Sequence, residues 1–272
     1  MLKEVFPCLL SWPSYRRFRR ATIRLGHVAL NLEHYRHTKK RSDKKMAAEG
    51  RNVKPILYSF FRSSAAWRVR IALAMKGIDY DYREVHLRKD GGQQRTEEYR
   101  KLNPMEQVPT LIIDGHTLFQ SLPICEYLEE TRPEVPLLPK DPAVRAKARA
   151  LAEIINSGIQ PLQNVNVRNK VGEEKAHEWV KYWIERGFTA LEKALQETAG
   201  KYCIGDKVTL PDLFLVPQIY HAQRYMRVDL DMSQFPTIKR IDAALSEIDA
   251  FKTAHAIRQP DTPPDERPSS KT

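Results

Sequence analysis

Two serines at a strand-to-helix turn are the first residues in this chain that could do chemistry. In "YSFFRSSAAWRVRIALAMKG" (58–77) an apolar strand runs into Ser63 and Ser64, and a helical pattern follows. The first four N–H groups of a helix have no internal partner, and the macrodipole places partial positive charge there. A hydroxyl beside them adds a donor, so the corner could hold a thiolate, a carboxylate or a phosphate. The plainer reading is that one serine caps the helix, a position where serine is preferred. Two further features point the same way. Val108-Pro109 precedes an apolar strand, where a proline cannot donate to a ladder and a cis bond would leave backbone open to a ligand. Gln120-Ser121 opens another helix, and its N-terminus suits a carboxylate. Each signal is weak by itself, but two helix N-termini bracketing a proline turn are more specific.

Other candidates read as structural. Thr209 to Asp212 fits a capping box with aspartate in the reciprocal position. Arg224, among apolar neighbours, could bind a substrate carboxylate or simply be solvated. His116 and His221 have no metal partners at useful spacing and read as structural or solvent-facing. No metal site is expected: zinc-type His/Cys spacing, the phosphate-loop motif and the dinucleotide fingerprint are all missing from the sequence.

The elements that must position these residues are legible in outline. "PILYSF" and "DYDYREVHL" read as strands, "AAWRVRIALAMKG" as a helix closed by Gly77, and "RTEEYRKL" as a short helix. Trp67, Ile71, Ala74 and Met75 are expected on one buried face. Asp114-Gly115 between apolar runs is a hairpin signal, and a helix is expected from about Leu122 to Glu130 with Ser121 as N-cap. The order is β-α-β-α-β-β-α. After "TRPEVPLLPKDP", with four prolines, the pattern is helical throughout. The expected divisions are a basic extension over 1–50, an α/β domain over 54–132, a linker over 133–141, an all-helical domain over 142–258, and a loose Pro-rich tail over 259–272.

Charge is uneven. The chain carries a formal +11, of which residues 1–50 hold 12 Lys+Arg against 4 Asp+Glu. A basic tail on a near-neutral body argues against nucleic acid as the main partner. The extension is arginine-rich and amphipathic from Arg16 to Leu32, which reads as a mitochondrial transit peptide or as a poorly ordered arm on a cytoplasmic protein. No run approaches the ~18 apolar residues of a membrane helix. Cys8, Cys125 and Cys203 are too few and too scattered for a disulfide framework and point to a reducing compartment.

From about Lys54 to Asp261 the sequence resembles zeta-class glutathione transferases, the maleylacetoacetate isomerases, and animal, arthropod-like members in particular. The blocks that carry the resemblance are "KPILYSFFRSSAAWRVRIALAMKGIDY", "LNPMEQVPTLIIDGHTLFQS", "EYLEETRP", "GIQPLQN", "GKYCIGD" and "RQPDTPP". The resemblance implies a thioredoxin-like N-terminal domain, an all-α C-terminal domain, a homodimer, and glutathione as cofactor. It places Ser63 and Ser64 beside the glutathione thiol, and Gln94, Val108, Gln120 and Ser121 on the other glutathione positions. Val108 would pair its backbone with the tripeptide and Ser121 would hold the γ-glutamyl carboxylate. Gln160, Asn164 and Arg224 would line the side of the second substrate. The implied reaction is cis–trans isomerisation of maleylacetoacetate to fumarylacetoacetate in tyrosine and phenylalanine catabolism, with transferase activity toward α-haloacids. A free thiol of pKa ~8.5 is mostly protonated at neutral pH, and a helix N-terminus with a hydroxyl donor lowers it. One departure stands out: the family pattern is Ser-Ser-Cys, but Ala65 follows Ser64. That keeps two other functions open, a detoxifying transferase with reduced isomerase activity and a non-catalytic glutathione-binding module. Tyr58 rivals the serines for thiol activation, although its place inside a strand favours core packing.

Overall fold

The structure, a computed structural model, describes residues 53–268. The extension 1–50 with its transit-peptide reading, Cys8, and residues 269–272 of the expected tail lie outside the described residues.

Alternating half-buried and buried side chains make a strand of β1 (Ile56–Ser59). It pairs in parallel with β2 (Asp81–Glu84) and antiparallel with β3 (Thr110–Ile113), which in turn pairs antiparallel with β4 (His116–Phe119). The described residues thus form a four-stranded sheet of order β2-β1-β3-β4. The β3–β4 turn is Asp114-Gly115, with φ of 54° and 78°. Positive φ at both central residues is the hairpin geometry that this dipeptide favours. Around the sheet lie α1 (Ser64–Met75), α2 (Glu97–Leu102) and α3 (Ser121–Thr131). Thr96 caps α2 by accepting from the Tyr99 N–H at 3.3 Å.

Helix α1 ends as the sequence indicates. Gly77, at φ 64°, lets its own N–H reach the Ala74 carbonyl at 3.1 Å and the Ile78 N–H reach the Leu73 carbonyl at 2.9 Å. That pair of bonds is a Schellman closure. The single buried face expected for α1 is not found, since every residue from Ala66 to Leu73 is buried. The reason is tertiary: α3 is a neighbour on one side, and α7 (Leu210–Tyr220) and α9 (Asp249–Ala254) cover the rest. Even arginine is enclosed there. Arg70 donates to the carbonyls of Ala254, Phe60 and Phe61 and to Ser59 Oγ at 3.1–3.4 Å. It thereby joins the exit of β1 to the helical half.

The helical half contains α4 (Pro142–Asn156), α5 (Val165–Val171), α6 (Glu173–Leu195), α7, α8 (Pro236–Ser246) and α9. A 3₁₀ turn over Gln160–Gln163 separates α4 from α5. The capping box of α7 forms as expected, with the Thr209 N–H donating to the buried Asp212 carboxylate at 2.7 Å. Glu192 on α6 accepts from the Thr237 and Ile238 N–H groups at 2.8 and 2.9 Å, so one helix caps the N-terminus of another.

Residues 133–141 are irregular yet held. Buried Glu129 accepts from the Leu137 and Leu138 N–H groups at 2.8 and 3.1 Å and from Lys76 Nζ at 3.1 Å. The described part of the expected loose tail, 259–268, is not loose. Gln259 and Thr262 are buried. Asp261 accepts from the Phe61 N–H at 2.9 Å and from the Tyr82 hydroxyl at 2.7 Å. Low hydropathy in the tail concealed these polar anchors to the first strand and its following turn.

Candidate functional site

A cavity of about 650 Å³ opens between the sheet's loops and the helical half. Three short segments of the α/β part position its first wall. After β1 the chain turns through a bond from the Ser63 N–H to the Phe60 carbonyl at 2.9 Å. Ser63 is the N-cap of α1, and its Oγ accepts from the Ala66 N–H at 3.1 Å. The plain capping role therefore exists, and it leaves the Ser63 hydroxyl proton free to donate elsewhere. Ser64, the first helical residue, and Ala65 line the cavity beside it.

The second segment is the Val108-Pro109 bond, which is cis, with both residues lining the cavity. Neither the N–H nor the carbonyl of Val108 has a partner among the described residues. Most backbone groups that are not solvated are paired, so this one is set to pair with an extended ligand. The third segment opens α3. Here the structure corrects the expected cap: Gln120, at φ 70°, is the N-cap, and Ser121 is the first helical residue. Ser121 lies one position inside the helix, and its Oγ accepts from Arg68 Nη1 at 3.0 Å.

Arg68 was not singled out in the sequence. It is fully buried on α1, also donates to Asn156 Oδ1 at 2.6 Å, and stacks over Phe214 at 4.3 Å. Its Nε and Nη2 have no partner. Burial pulls its guanidinium down to about 9. A buried cation so placed under the N-terminus of α3 adds positive potential where a carboxylate is expected.

Gln94 completes the wall. It is buried, its Nε2 donates to the Leu87 carbonyl at 3.3 Å, and its Oε1 is buried with no partner. Leaving such an acceptor unpaired costs free energy unless a ligand satisfies it. Ser63, Ser64, Gln94, Val108, Gln120 and Ser121 all line this one cavity. A tripeptide with an extended backbone, a carboxylate end and a thiol fits this donor and acceptor set. Tyr58 does not line the cavity; its ring packs edge-on against Tyr99 at 5.9 Å.

The helical half supplies the opposite wall. Gln160 and Asn164 line it. Asn164 also caps α5 by accepting from the Asn166 N–H at 3.1 Å. Arg224 does not line the cavity and is exposed. It lies in a π-helical turn over His221–Tyr225. In that turn His221 and Tyr225 face the cavity and Arg224 points elsewhere. The helical residues that sequence reasoning missed are Arg168, His221 and Tyr225, together with Arg62 from the turn after β1. The four-residue spacing of His221 and Tyr225 was the available signal.

His221, read from the sequence as structural or solvent-facing, lines the cavity with its Nδ1 buried and unpartnered. Burial, then the charges of Arg168, Arg68 and Arg62, hold its imidazole down to about 4. Arg62 pairs with Glu266, and its guanidinium lies over the Tyr225 ring at 4.9 Å. With Pro263 also lining the cavity, the C-terminal segment forms part of the site. Among the described residues no group of three His, Cys, Asp or Glu side chains is placed to hold a metal ion. Cys125 and Cys203 are buried and free, and burial pushes the Cys125 thiol up to about 12, away from reactive range.

The family model described as glutathione S-transferase, N-terminal domain, matches residues 54–130, and the C-terminal domain model matches residues 161–253. The chain is similar to probable maleylacetoacetate isomerase 2 of Drosophila melanogaster, at 54% identity over 218 residues, covering 80% of this chain and 95% of that one. It is similar to maleylacetoacetate isomerase of Mus musculus at 57% over 210 residues, covering 77% and 96%. Among solved structures, maleylacetoacetate isomerase of Anaeromyxobacter dehalogenans 2CP-1, with GSH bound in its active site, has a TM-score of 0.70 at 46% identity, covering 77% of this chain and 98% of that one. A bacterial maleyl pyruvate isomerase, described as a zeta-class glutathione S-transferase, has a TM-score of 0.72 at 39% identity, covering 76% and 100%.

Proposed function

The chain belongs to the glutathione S-transferase family, and from that premise we propose that it is a glutathione-dependent isomerase converting maleylacetoacetate to fumarylacetoacetate. The observation that carries this reading is the convergence of Ser63, Ser64, Gln94, Val108, Gln120 and Ser121, from four separate stretches of chain, on one cavity. Maleylacetoacetate isomerases at 54–57% identity support the same substrate, and that substrate places the enzyme in tyrosine and phenylalanine catabolism.

Glutathione, when bound, supplies the thiol nucleophile, and isomerisation consumes none of it. The residues of this chain do the rest. Val108 pairs its free N–H and carbonyl with the tripeptide backbone. Ser121, held by Arg68, and the N-terminus of α3 receive the γ-glutamyl carboxylate. Ser63 donates its hydroxyl proton to the sulfur, while the N-terminus of α1 adds positive potential, and both favour the thiolate. Gln160 and Asn164 present polar side chains to the second substrate from the other wall.

Ala65 supports a second reading, a transferase acting on α-haloacids and other electrophiles with reduced isomerase activity. It lines the cavity directly after Ser64, where the family pattern has cysteine, so a thiol that would face the reaction is replaced by a methyl group. The test is fumarylacetoacetate formation by the full chain beside Ala65→Cys, with glutathione measured before and after. Turnover without glutathione loss supports the isomerase. Conjugation without isomerisation supports the transferase, and glutathione binding with neither activity supports a binding module.

An animal origin is supported by the fly and mouse relatives. A homodimer, a cytoplasmic location and a mitochondrial address in the arginine-rich extension are further parts of the proposal. They rest on the sequence resemblance and charge pattern, and light scattering and cell fractionation test them.

A further inference from the structure

We infer that Tyr99 and Asn103 are positioning residues for glutathione: both hydrogen-bond the Gln107 carbonyl, and that fixes the direction of the free Val108 N–H. This rests on the glutathione part of the proposed function and on none of its isomerase chemistry.

Tyr99 lies on α2 and Asn103 follows the helix four residues later, so the two share one face. Both are buried. The Tyr99 hydroxyl donates to the Gln107 carbonyl at 2.7 Å, and Asn103 Nδ2 donates to the same oxygen at 2.7 Å. A carbonyl oxygen has two lone pairs, and these bonds occupy both. Each donor is itself held. The single phenolic proton is spent on Gln107, so at the 2.9 Å contact between Tyr99 and Thr110 Oγ1 the threonine donates. Thr110 belongs to β3, which ties the phenol to the sheet. Burial raises that phenol to about 12, so it keeps its proton at neutral pH. Asn103 Oδ1 accepts from the Met105 N–H at 3.0 Å, and the Asn103 N–H donates to the Tyr99 carbonyl at 2.9 Å.

The Gln107 carbonyl and the Val108 N–H are the two ends of one peptide unit. That unit is trans, since among the described residues the one cis bond is Val108-Pro109. In a planar trans peptide the C=O and the N–H point in opposite directions. Holding the carbonyl toward Tyr99 and Asn103 therefore turns the N–H away from them. There it meets no acceptor among the described residues, and Val108 lines the cavity. A peptide free to rock would have to be frozen when the ligand binds, at a cost in affinity. The two bonds freeze it beforehand. Tyr99 does not line the cavity, so it acts through Gln107. Asn103 does line it, but both its amide oxygen and its amide nitrogen are engaged by the chain.

The test titrates S-methylglutathione into the full chain by calorimetry, for wild type, Tyr99→Phe, Asn103→Ser and the double variant. Each single change leaves one bond on the carbonyl and is expected to weaken binding about threefold. The double variant leaves none and is expected to lose about 30-fold or more, beyond the product of the singles. A second readout follows the Val108 amide resonance in chain labelled with ¹⁵N-valine. S-methylglutathione should move it downfield in wild type and by less than half as much in the double variant. A purely structural role lowers the urea midpoint but leaves the affinity and the Val108 shift of the folded protein unchanged. Wild-type affinity in the double variant overturns the inference, as does weaker binding with the Val108 shift intact. Should the double variant fail to fold, Tyr99→Phe decides, because it keeps the ring packed on Tyr58; unchanged affinity and an unchanged shift there overturn the inference. A wild type that does not bind S-methylglutathione sinks the glutathione reading and this inference with it. A wild type that binds it without isomerising maleylacetoacetate, beside weakened variants, keeps the inference and sinks the isomerase reading alone.

Discussion

Replacing Ser63 separates two roles that its position superimposes. Its Oγ accepts from the Ala66 N–H at 3.1 Å, so the side chain caps α1, and losing a serine cap costs about 1 kcal/mol. The same hydroxyl has a proton left for the glutathione sulfur. A hydrogen bond to a charged group contributes about 1.5–3 kcal/mol, which corresponds to roughly 10- to 150-fold in rate at about 1.4 kcal/mol per decade. Alanine removes both roles, whereas glycine is an adequate N-cap and costs only a few tenths of a kcal/mol there. Ser63 has φ −71° and ψ 112°, an extended conformation that asks nothing special of glycine. The expected pattern follows directly. Ser63→Ala loses roughly 10- to 150-fold in kcat/KM and about 1 kcal/mol of stability. Ser63→Gly loses the same rate with nearly wild-type urea midpoint, and Ser63→Thr keeps most of both. Wild-type kcat/KM in Ser63→Gly would refute the reasoning, leaving thiol activation to Ser64 or to the helix terminus alone.

Four more outcomes are expected. Ala65→Cys places a thiol beside Ser64 and should raise isomerase kcat several-fold without altering the glutathione KM, read by steady-state kinetics. Arg68→Met removes the buried donor to Ser121 and should raise the glutathione KM about 10-fold or more. Its stability should change by no more than about 1–2 kcal/mol, because an apolar replacement also removes an enclosed charge; denaturant melts check this. Gly187→Ala should destabilise by about 1–3 kcal/mol despite alanine's better helix propensity, since a new Cβ would meet Ile159 Cγ1 at 2.3 Å. For pH, His221 and His255 are both held to about 4 by burial, below the ordinary 6.5. The unfolded chain then binds more protons across that window, so their contribution is complete above about 6.5 and fades as pH falls toward 4. Asp242, raised by burial to about 6, opposes this below pH 6. The difference in urea midpoint between pH 7.5 and 4.5 should therefore shrink in His221→Phe relative to wild type.

What could be read from the sequence was mostly local. The Asp114-Gly115 hairpin, the Gly77 closure and the Thr209–Asp212 box are each specified within a few residues, and each is found. Ser63 and Ser64 were visible because a strand, two small polar residues and a helix adjoin in the chain. The misjudged features depend on distant partners. The single face expected for α1 gave way to burial on all sides because helices from the far half of the chain cover it. Ser121 sits inside the helix, and its hydroxyl is held by Arg68, 53 residues earlier. The tail joins the first turn through Asp261, 200 residues from Phe61. Arg224 lies in a π-helical turn and is not among the residues lining the cavity, and hydrophobic periodicity does not report such a turn. Arg168 had no motif around it at all.

The proposed isomerase depends on the Ser63 corner turning a bound thiol into a thiolate. Ultraviolet difference titration of glutathione bound to the full chain measures this directly through thiolate absorbance. The expected apparent pKa lies clearly below the ~8.5 of a free thiol and returns toward that value in Ser63→Gly. A bound thiol that titrates like the free one in the wild-type chain would contradict it.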